Sequence, residues 1–216
     1  MYNTVVFDLD GTLLNTLEDL TDAVLYIQKK FDFPLHNIEL VRQHVGNGIR
    51  KLIIRSIPDG ENNPRFEEVY QEFLDYYQKN CQVKTRAYDG IMELLKELHE
   101  NNIKMAIVSN KAHGAVDELN EIYFKNYIKV AIGENEAAGI KKKPAPDSVF
   151  HALKLLGSKK EEAVYVGDSE VDRATAENAG MDCVLCSWGF RERELLEGLK
   201  PIAIIDEPKD LLKIIK

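Results

Sequence analysis

The sequence predicts an α/β protein: a parallel sheet with helices on both faces, and an all-helical insertion after the first strand. Short apolar runs rich in β-branched residues recur along the 216-residue chain, and segments with apolar residues at helical spacing lie between them. A strand followed repeatedly by a helix is typical of a covered parallel sheet. From about residue 15 to 82 this alternation stops, and helical patterns occur without a convincing strand.

The predicted strands are short and apolar, as expected of strands buried on both faces. They cover residues 4–7, 104–108, 129–132, 163–166, 182–185 and 202–205. One of the helical patterns between them ends at Gly157, a residue typical of helix C-termini. We therefore expect residues 1–14 and 83–216 to form the α/β core.

The insertion, residues 15–82, reads as a compact helical domain. Thr16 and Asp19 have the spacing of a capping box, and apolar residues follow at helical spacing. Asn63 and Pro64 predict a second helix start. We expect this domain to form a cap on the sheet.

Composition excludes several classes of partner. The formal net charge of −8 argues against nucleic acid and acidic membranes, which bind through a basic field. No apolar run approaches the roughly 20 residues that span a bilayer. The first residues lack the basic start and cleavage site of a signal peptide, so we expect a cytoplasmic protein with no evident protein partner.

Three cysteines, Cys81, Cys183 and Cys186, cannot pair evenly. Cys183 and Cys186 lie in an apolar run, and strand positions three apart point to opposite faces. They would not converge on a metal ion, and we expect buried, reduced thiols.

Polar residues follow several of the predicted strands. Ligands of an open parallel sheet bind beyond the carboxyl ends of its strands, so we expect these side chains to converge. They are Asp8, Asp10, Gly11 and Thr12 after the first strand, Ser109, Asn110 and Lys111 after the second, and Asp168, Ser169 and Asp172 after the strand at 163–166.

Converging carboxylates repel one another unless a cation intervenes, and Mg²⁺ takes oxygen ligands of this kind. Asp8 can also attack phosphorus, and Asp10 can protonate the leaving oxygen and later deprotonate water. Ser109 and the backbone N–H of Asn110 can donate to phosphoryl oxygens, while Lys143, before a predicted helix, adds positive charge. Magnesium-dependent phosphoryl transfer through Asp8 follows as a hypothesis.

Each signal alone has an ordinary explanation. Asp-x-Asp-Gly is a common turn, a Ser or Asp after a strand is a common helix cap, and the lysines at 141–143 are typical of a solvated face. Their order along the chain and their placement after strands favour the catalytic interpretation.

The set resembles the four motifs of haloacid dehalogenase-like hydrolases, whose core is Rossmann-like. The matching segments are Asp8 to Thr12, Ser109, Lys143 in Lys-Pro-x-Pro, and Gly167 to Asp172. The resemblance implies a nucleophile at Asp8, an acid/base at Asp10, and metal ligands from Asp8, the carbonyl of Asp10, and Asp168. It also implies that Ser169 and Asp172 support the site without binding the metal, and Lys142 remains an alternative to Lys143.

The insertion is similar to the small cap of phosphoglycolate phosphatases at Gly46, Asn47, Gly48 and Arg50. Glycines there would let backbone amides approach an anionic part of the substrate. The alternative is that both glycines only turn the chain. We count Gly11, Thr12 and Asn110 with these four as candidate substrate-binding residues.

The predicted function is hydrolysis of a small phosphorylated metabolite, phosphoglycolate or a similar monoester, through an aspartyl-phosphate. Asp10 favours phosphoryl transfer over dehalogenation, because the family's dehalogenases lack that aspartate. The alternatives are a nucleotide or pyrophosphate phosphatase, a sugar phosphomutase, and a non-enzymatic phosphate-binding regulator, which would gain from lacking Asp10.

Overall fold

The structure is a computed structural model that describes residues 2–215, except for the side chain of Glu136. The chain divides into two compact units: unit 1 comprises Met1–Leu13 and Ala87–Lys216, and unit 2 comprises Leu14–Arg86. Unit 2 is thus a continuous segment that is inserted into the sequence of unit 1.

The strands are β1 (Thr4–Phe7), β2 (Leu14–Asn15), β3 (Arg86–Ala87), β4 (Lys104–Ala112), β5 (Val130–Glu134), β6 (Ala163–Gly167), β7 (Asp182–Cys186) and β8 (Ala203–Ile205). The helices are α1 (Leu17–Lys30), α2 (Ile38–His44), α3 (Ile49–Ser56), α4 (Phe66–Asn80), α5 (Ile91–Glu100), α6 (His113–Tyr123), α7 (Asp147–Leu156), α8 (Glu170–Ala179), α9 (Arg193–Gly198) and α10 (Leu211–Ile215).

Unit 1 contains a six-stranded parallel sheet in the order β5-β4-β1-β6-β7-β8. All four residues of β1 are buried, as expected of a central strand covered on both faces. Val6 of β1 packs in one cluster with Val149 of α7 and Ala176 of α8. The predicted α/β fold is confirmed.

The second strand of the core extends further than its apolar run. We predicted residues 104–108, but β4 continues to Ala112, with a register shift between Val108 and Ala112. Irregular pairing of this kind re-aims side chains at the end of a strand. Ser109, Asn110 and Lys111 therefore lie within the irregular end of β4 and not in a loop after it.

Unit 2 contains α1 to α4, and its helices α1 and α4 pack together through stacked rings of Tyr26 and Tyr76, 4.1 Å apart. The predicted capping box at its start is wrong. Thr16 makes no capping bond, and the buried Asp19 carboxylate accepts hydrogen bonds from the Lys84 and Thr85 backbone at 3.0 and 2.8 Å. Amides from a distant part of the chain take the place of the local partner.

All three cysteines are free and buried, which agrees with the reduced thiols expected from the sequence. Within residues 2–215, none of the helices has the length and apolar character needed to cross a bilayer.

Candidate active site

The site lies at the carboxyl ends of three neighbouring strands, β4, β1 and β6. Asp8 directly follows β1, Ser109 lies in the end of β4, and Asp168 directly follows β6. All three residues are buried. The parallel topology thus brings together residues that are up to 160 positions apart in the sequence.

A buried ammonium group joins two of the carboxylates. Lys143 Nζ lies 2.7 Å from Asp8 Oδ1 and 2.8 Å from Asp172 Oδ1, and it donates to the Tyr165 hydroxyl at 3.2 Å. Tyr165 in turn donates to Asp172 at 3.1 Å. Burial lowers the pKa of Lys143, but Asp172 and Asp8 outweigh this effect and hold the pKa well above its usual value. Lys143 is therefore a fixed positive charge beside Asp8.

The alternative lysine does not take this place. Lys142 forms a half-exposed ion pair with Glu134 at 2.9 Å. Lys143 is held by the Asn110 side chain, which accepts from Lys143 N at 2.7 Å and donates to Lys143 O at 3.1 Å. The side chain of Asn110 thus positions the lysine, which leaves the Asn110 N–H as the group that could meet a phosphoryl oxygen.

Both oxygens of Asp172 are occupied within the protein. Oδ1 is bound by Lys143, and Oδ2 accepts from the Ser169 hydroxyl at 2.6 Å and from the backbone N–H groups of Ser169 and Asp168 at 3.1 and 3.2 Å. Ser169 and Asp172 form the capping box of α8. Burial raises the pKa of Asp172, but Lys143 and Ser169 outweigh it, so that the pKa lies below its usual value. Asp172 is an ionised anchor for Lys143.

Asp168 sits in a narrow space. Its Oδ2 accepts from the Phe190 N–H at 2.7 Å. A Cβ atom on Gly11, where φ is +91°, would come within 2.4 Å of this oxygen, and one on Gly189 would come within 2.5 Å. Glycine is required at both positions, and φ at Gly11 adds a second reason.

The cluster carries excess negative charge. Oxygens of Asp8, Asp168 and Asp172 lie within 4.8 Å of one another. Burial and the neighbouring Asp172 raise the pKa of Asp8 to about 7 against the opposing effect of Lys143, and burial with the other two carboxylates raises the pKa of Asp168 well above its usual value. One ammonium for three carboxylates leaves room for a divalent cation that prefers oxygen donors, so Mg²⁺ fits these residues.

Asp10 pairs with a lysine whose role the sequence left unassigned. Lys111 Nζ lies 3.0 and 3.3 Å from the two Asp10 carboxylate oxygens, and the lysine side chain is only 4% exposed. The Lys111 N–H donates to Ser109 Oγ at 3.2 Å. Because this hydroxyl acts as acceptor there, its own hydrogen can be donated to a substrate.

Three contributors were missed by sequence reasoning: Tyr165, Phe190 and Trp188. Trp188 Nε1 donates to the Thr12 carbonyl at 3.0 Å, and the Thr12 hydroxyl is buried. A tyrosine in the middle of the small apolar run of β6 is a signal that could have been noticed. Phe190 acts through its backbone, which side-chain type does not reveal.

The remaining candidates belong to unit 2. Gly46 and Gly48 have φ of +116° and +81°, and Gly48 directly precedes α3, so both turn the chain. Asn47 Oδ1 accepts from Arg55 Nη2 at 2.8 Å, and Arg50 forms exposed ion pairs with Glu61 and Glu67. Contact between this loop and a substrate stays a prediction.

Curated relatives match nearly the whole chain. Phosphoglycolate phosphatase 1 of Pseudomonas aeruginosa is 33% identical over 213 residues, which cover 96% of this chain and 78% of the relative. Phosphoglycolate phosphatase of Aquifex aeolicus is 30% identical over 211 residues, 97% of this chain and 95% of the relative.

Crystal structures of other proteins have the same fold. A protein from Lactobacillus delbrueckii subsp. bulgaricus superimposes with a TM-score of 0.93 at 33% identity, covering 99% of this chain and 98% of the other. A predicted phosphoglycolate phosphatase from Haemophilus somnus gives a TM-score of 0.90 at 26% identity, covering 100% and 98%. The family model described as haloacid dehalogenase-like hydrolase matches residues 5–186. The chain belongs to the haloacid dehalogenase-like hydrolase family.

Proposed function

We propose that this protein is a magnesium-dependent phosphatase that hydrolyses small phosphate monoesters, phosphoglycolate or a close analogue, through a phosphorylated Asp8. The observation that carries the proposal is the environment of Asp8. Its carboxylate is bound by the buried Lys143 and lies near Asp168, and Asp10 follows two residues later in the chain. The enzyme class, a phosphatase acting on phosphoric monoesters, is confirmed by the relatives.

In the first step an Asp8 oxygen attacks phosphorus and the bond from phosphorus to the leaving oxygen breaks. Asp10 donates a proton to that oxygen. Asp10 then takes a proton from water, whose oxygen attacks phosphorus as the bond from phosphorus to the Asp8 oxygen breaks, which releases inorganic phosphate and restores the Asp8 carboxylate. Lys143, the Ser109 hydroxyl and the Asn110 N–H stabilise charge on the phosphoryl oxygens throughout.

The residues that would hold magnesium are Asp8, Asp168 and the carbonyl of Asp10. The ion would supply charge neutralisation for the carboxylates and for the phosphoryl group. Ser169 and Asp172 support this arrangement by holding Lys143 and the first turn of α8. Gly11 leaves the space that Asp168 needs.

Unit 2 is the proposed source of substrate selection. The Gly46–Gly48 loop and Arg50 would meet the leaving group, and backbone amides in a glycine-rich turn suit a carboxylate such as that of glycolate. A nucleotide or pyrophosphate phosphatase and a sugar phosphomutase remain alternatives, because they share the chemistry of unit 1.

The mechanism is tested with Asp8→Asn, assayed on p-nitrophenyl phosphate at saturating magnesium. We expect turnover to be lost, because the amide is not a nucleophile and is a poorer metal ligand. Asp117→Asn, an exposed aspartate on α6, is the matched control. In Asp10→Asn, mass spectrometry after rapid quenching should detect phosphate on Asp8. A near-wild-type kcat for Asp8→Asn contradicts the mechanism.

The substrate is tested with a panel of phosphate esters ranked by kcat/KM. The kcat/KM for phosphoglycolate should exceed that for nucleoside monophosphates and for pyrophosphate. Labelled phosphate that appears on a sugar instead of in solution would identify a mutase and overturn the hydrolase assignment.

A further inference from the structure

The loop of residues 187–191, between β7 and α9, contacts two parts of the site, although none of the recognised motifs includes it. Trp188 Nε1 donates to the Thr12 carbonyl at 3.0 Å, on the turn that follows Asp8 and Asp10. The Phe190 N–H donates to Asp168 Oδ2 at 2.7 Å. One short loop thus spans the ends of β1 and β6.

The contact of this 187–191 loop with Asp168 is closely packed. A Cβ on Gly189 would lie 2.3 Å from Asp168 Cβ and 2.6 Å from the Gly11 carbonyl oxygen, and a Cβ on Gly11 would lie 2.9 Å from the Phe190 ring. The backbone of the loop therefore packs directly against the Asp168 side chain and restricts the rotation of its carboxylate.

An ion pair connects the end of the loop to the first turn of α8. Arg191 Nε and Nη2 donate to Glu170 Oε2 and Oε1 at 2.7 and 3.1 Å, a fork geometry in which two parallel bonds fix orientation. The arginine side chain is 9% exposed and the Glu170 side chain 41%, so solvent reaches the pair mainly from the glutamate side. Glu170 lies two residues after Asp168 in the chain, and Arg191 directly follows Phe190.

We propose that the Arg191–Glu170 fork is a positioning device for Asp168: it holds the 187–191 loop so that Phe190 keeps one carboxylate oxygen occupied and the other turned toward the metal. The fork would thereby set the magnesium affinity of the site. This inference rests on the magnesium part of the proposed function. Neither residue touches substrate, and both act through Phe190 and Asp168.

Because Arg191 is positively charged, its replacement separates a positioning role from a purely electrostatic effect on magnesium affinity. Removing a positive charge near a cation site, and leaving the Glu170 carboxylate without its partner, strengthens cation binding if charge alone matters. Loss of positioning weakens it. Arg191→Gln therefore has opposite expected effects under the two accounts, whereas Glu170→Gln weakens binding under both.

The experiment is a calorimetric titration of magnesium into the metal-free protein, without substrate. For Arg191→Gln we expect the Kd to rise about 10-fold or more, the range found when groups that orient metal ligands are removed. Arg191→Lys, which keeps the charge and loses the fork, should show a similar rise. Glu170→Gln should also raise the Kd, and Glu177→Gln, the same change of Glu to Gln in an exposed residue of α8, is its control and should keep the wild-type Kd.

A second measurement needs neither metal nor turnover. Trp188 is the only tryptophan in the chain, so its fluorescence reports on the loop alone. In metal-free Arg191→Gln we expect emission shifted to the red as the indole N–H exchanges the Thr12 carbonyl for water, with an unchanged far-ultraviolet circular dichroism spectrum. Glu177→Gln should keep the wild-type emission.

Tighter magnesium binding in Arg191→Gln, or a wild-type Kd in Arg191→Lys, would overturn the positioning role. An unchanged Trp188 emission in Arg191→Gln would do the same. These outcomes are separate from failure of the proposed function: a wild-type protein that binds magnesium but releases no phosphate from any ester refutes the function and leaves the positioning role standing.

Discussion

Each unit contains a basic side chain that is paired with two carboxylates. The nitrogen–oxygen distances are similar in the two groups, but the exposure to solvent differs. In unit 1, Lys143 lies 2.7 and 2.8 Å from Asp8 and Asp172, and its side chain is 4% exposed. In unit 2, Arg50 lies 3.2 and 2.8 Å from Glu61 and Glu67, and its side chain is 38% exposed. The two groups of ion pairs are therefore distinguished by burial and not by distance.

The difference shows where charge has been concentrated for chemistry. Around Arg50, water screens the pairs, and the guanidinium also stacks on the Phe66 ring at 4.5 Å. Around Lys143, the low polarity of the interior strengthens every interaction and makes an unpaired group costly. One basic residue between two acidic residues thus forms a solvated surface group in unit 2 and a buried charged cluster in unit 1.

The largest effect is expected for Lys143→Met. Removing the ammonium leaves Asp8 and Asp172 buried together, which should lower the free energy of unfolding by about 3–5 kcal/mol. We also expect kcat to fall by about 100-fold or more, as for the loss of a preorganised group that stabilises transition-state charge. Urea denaturation and a p-nitrophenyl phosphate assay measure both.

The control for that variant is Lys142→Met, in the adjacent residue with a half-exposed partner. It should change neither quantity appreciably. Equal effects of the two substitutions would show that position in the chain, and not burial, decides the importance of these lysines.

An intermediate effect of opposite sign is expected for Asp168→Asn. Burial and the nearby Asp172 and Asp8 raise the pKa of Asp168, so its ionised form is destabilised in the folded protein relative to the unfolded one. Removing the charge should raise the free energy of unfolding of the metal-free protein by on the order of 1 kcal/mol. The amide oxygen can still accept from Phe190.

The same variant should lose its response to metal. Magnesium should raise the melting temperature of the wild type, because it binds the folded state, and should have no effect on Asp168→Asn. Calorimetric melting with and without magnesium measures this. A metal-free variant less stable than wild type would show that the Asp168 charge is well compensated, contrary to our account.

The smallest effect is expected for Arg50→Gln. Its pairs are exposed, so the free energy of unfolding should change far less than in Lys143→Met. Arg65→Gln, which removes another exposed pair of unit 2, is the comparison in the same denaturation experiment. A loss as large as that of Lys143→Met would mean that exposure does not distinguish the two ion-pair groups.

The convergence of the main candidate residues could be predicted because it depends on a regular pattern. Alternating strands and helices require a parallel sheet, and a parallel sheet places the residues after each strand at one edge. Asp8, Ser109 and Asp168 follow from that rule. The 187–191 loop does not, because the contacts of Trp188 and Phe190 depend on how the loop packs and not on the order of the strands.

Two pairs with the same hydroxyl-x-x-Asp spacing show the limit most clearly. The sequence by itself predicted a helix start near Thr16 from the local apolar spacing behind it, and a helix cap was one interpretation of Ser169. Only the tertiary structure decided that Asp172 caps its helix while Asp19 binds amides some 65 residues further along the chain. Capping depends on neighbours within one turn, and it yields when folding brings better donors to a buried carboxylate. The tertiary structure also decided between Lys142 and Lys143, because only the ammonium of Lys143 reaches the buried carboxylates.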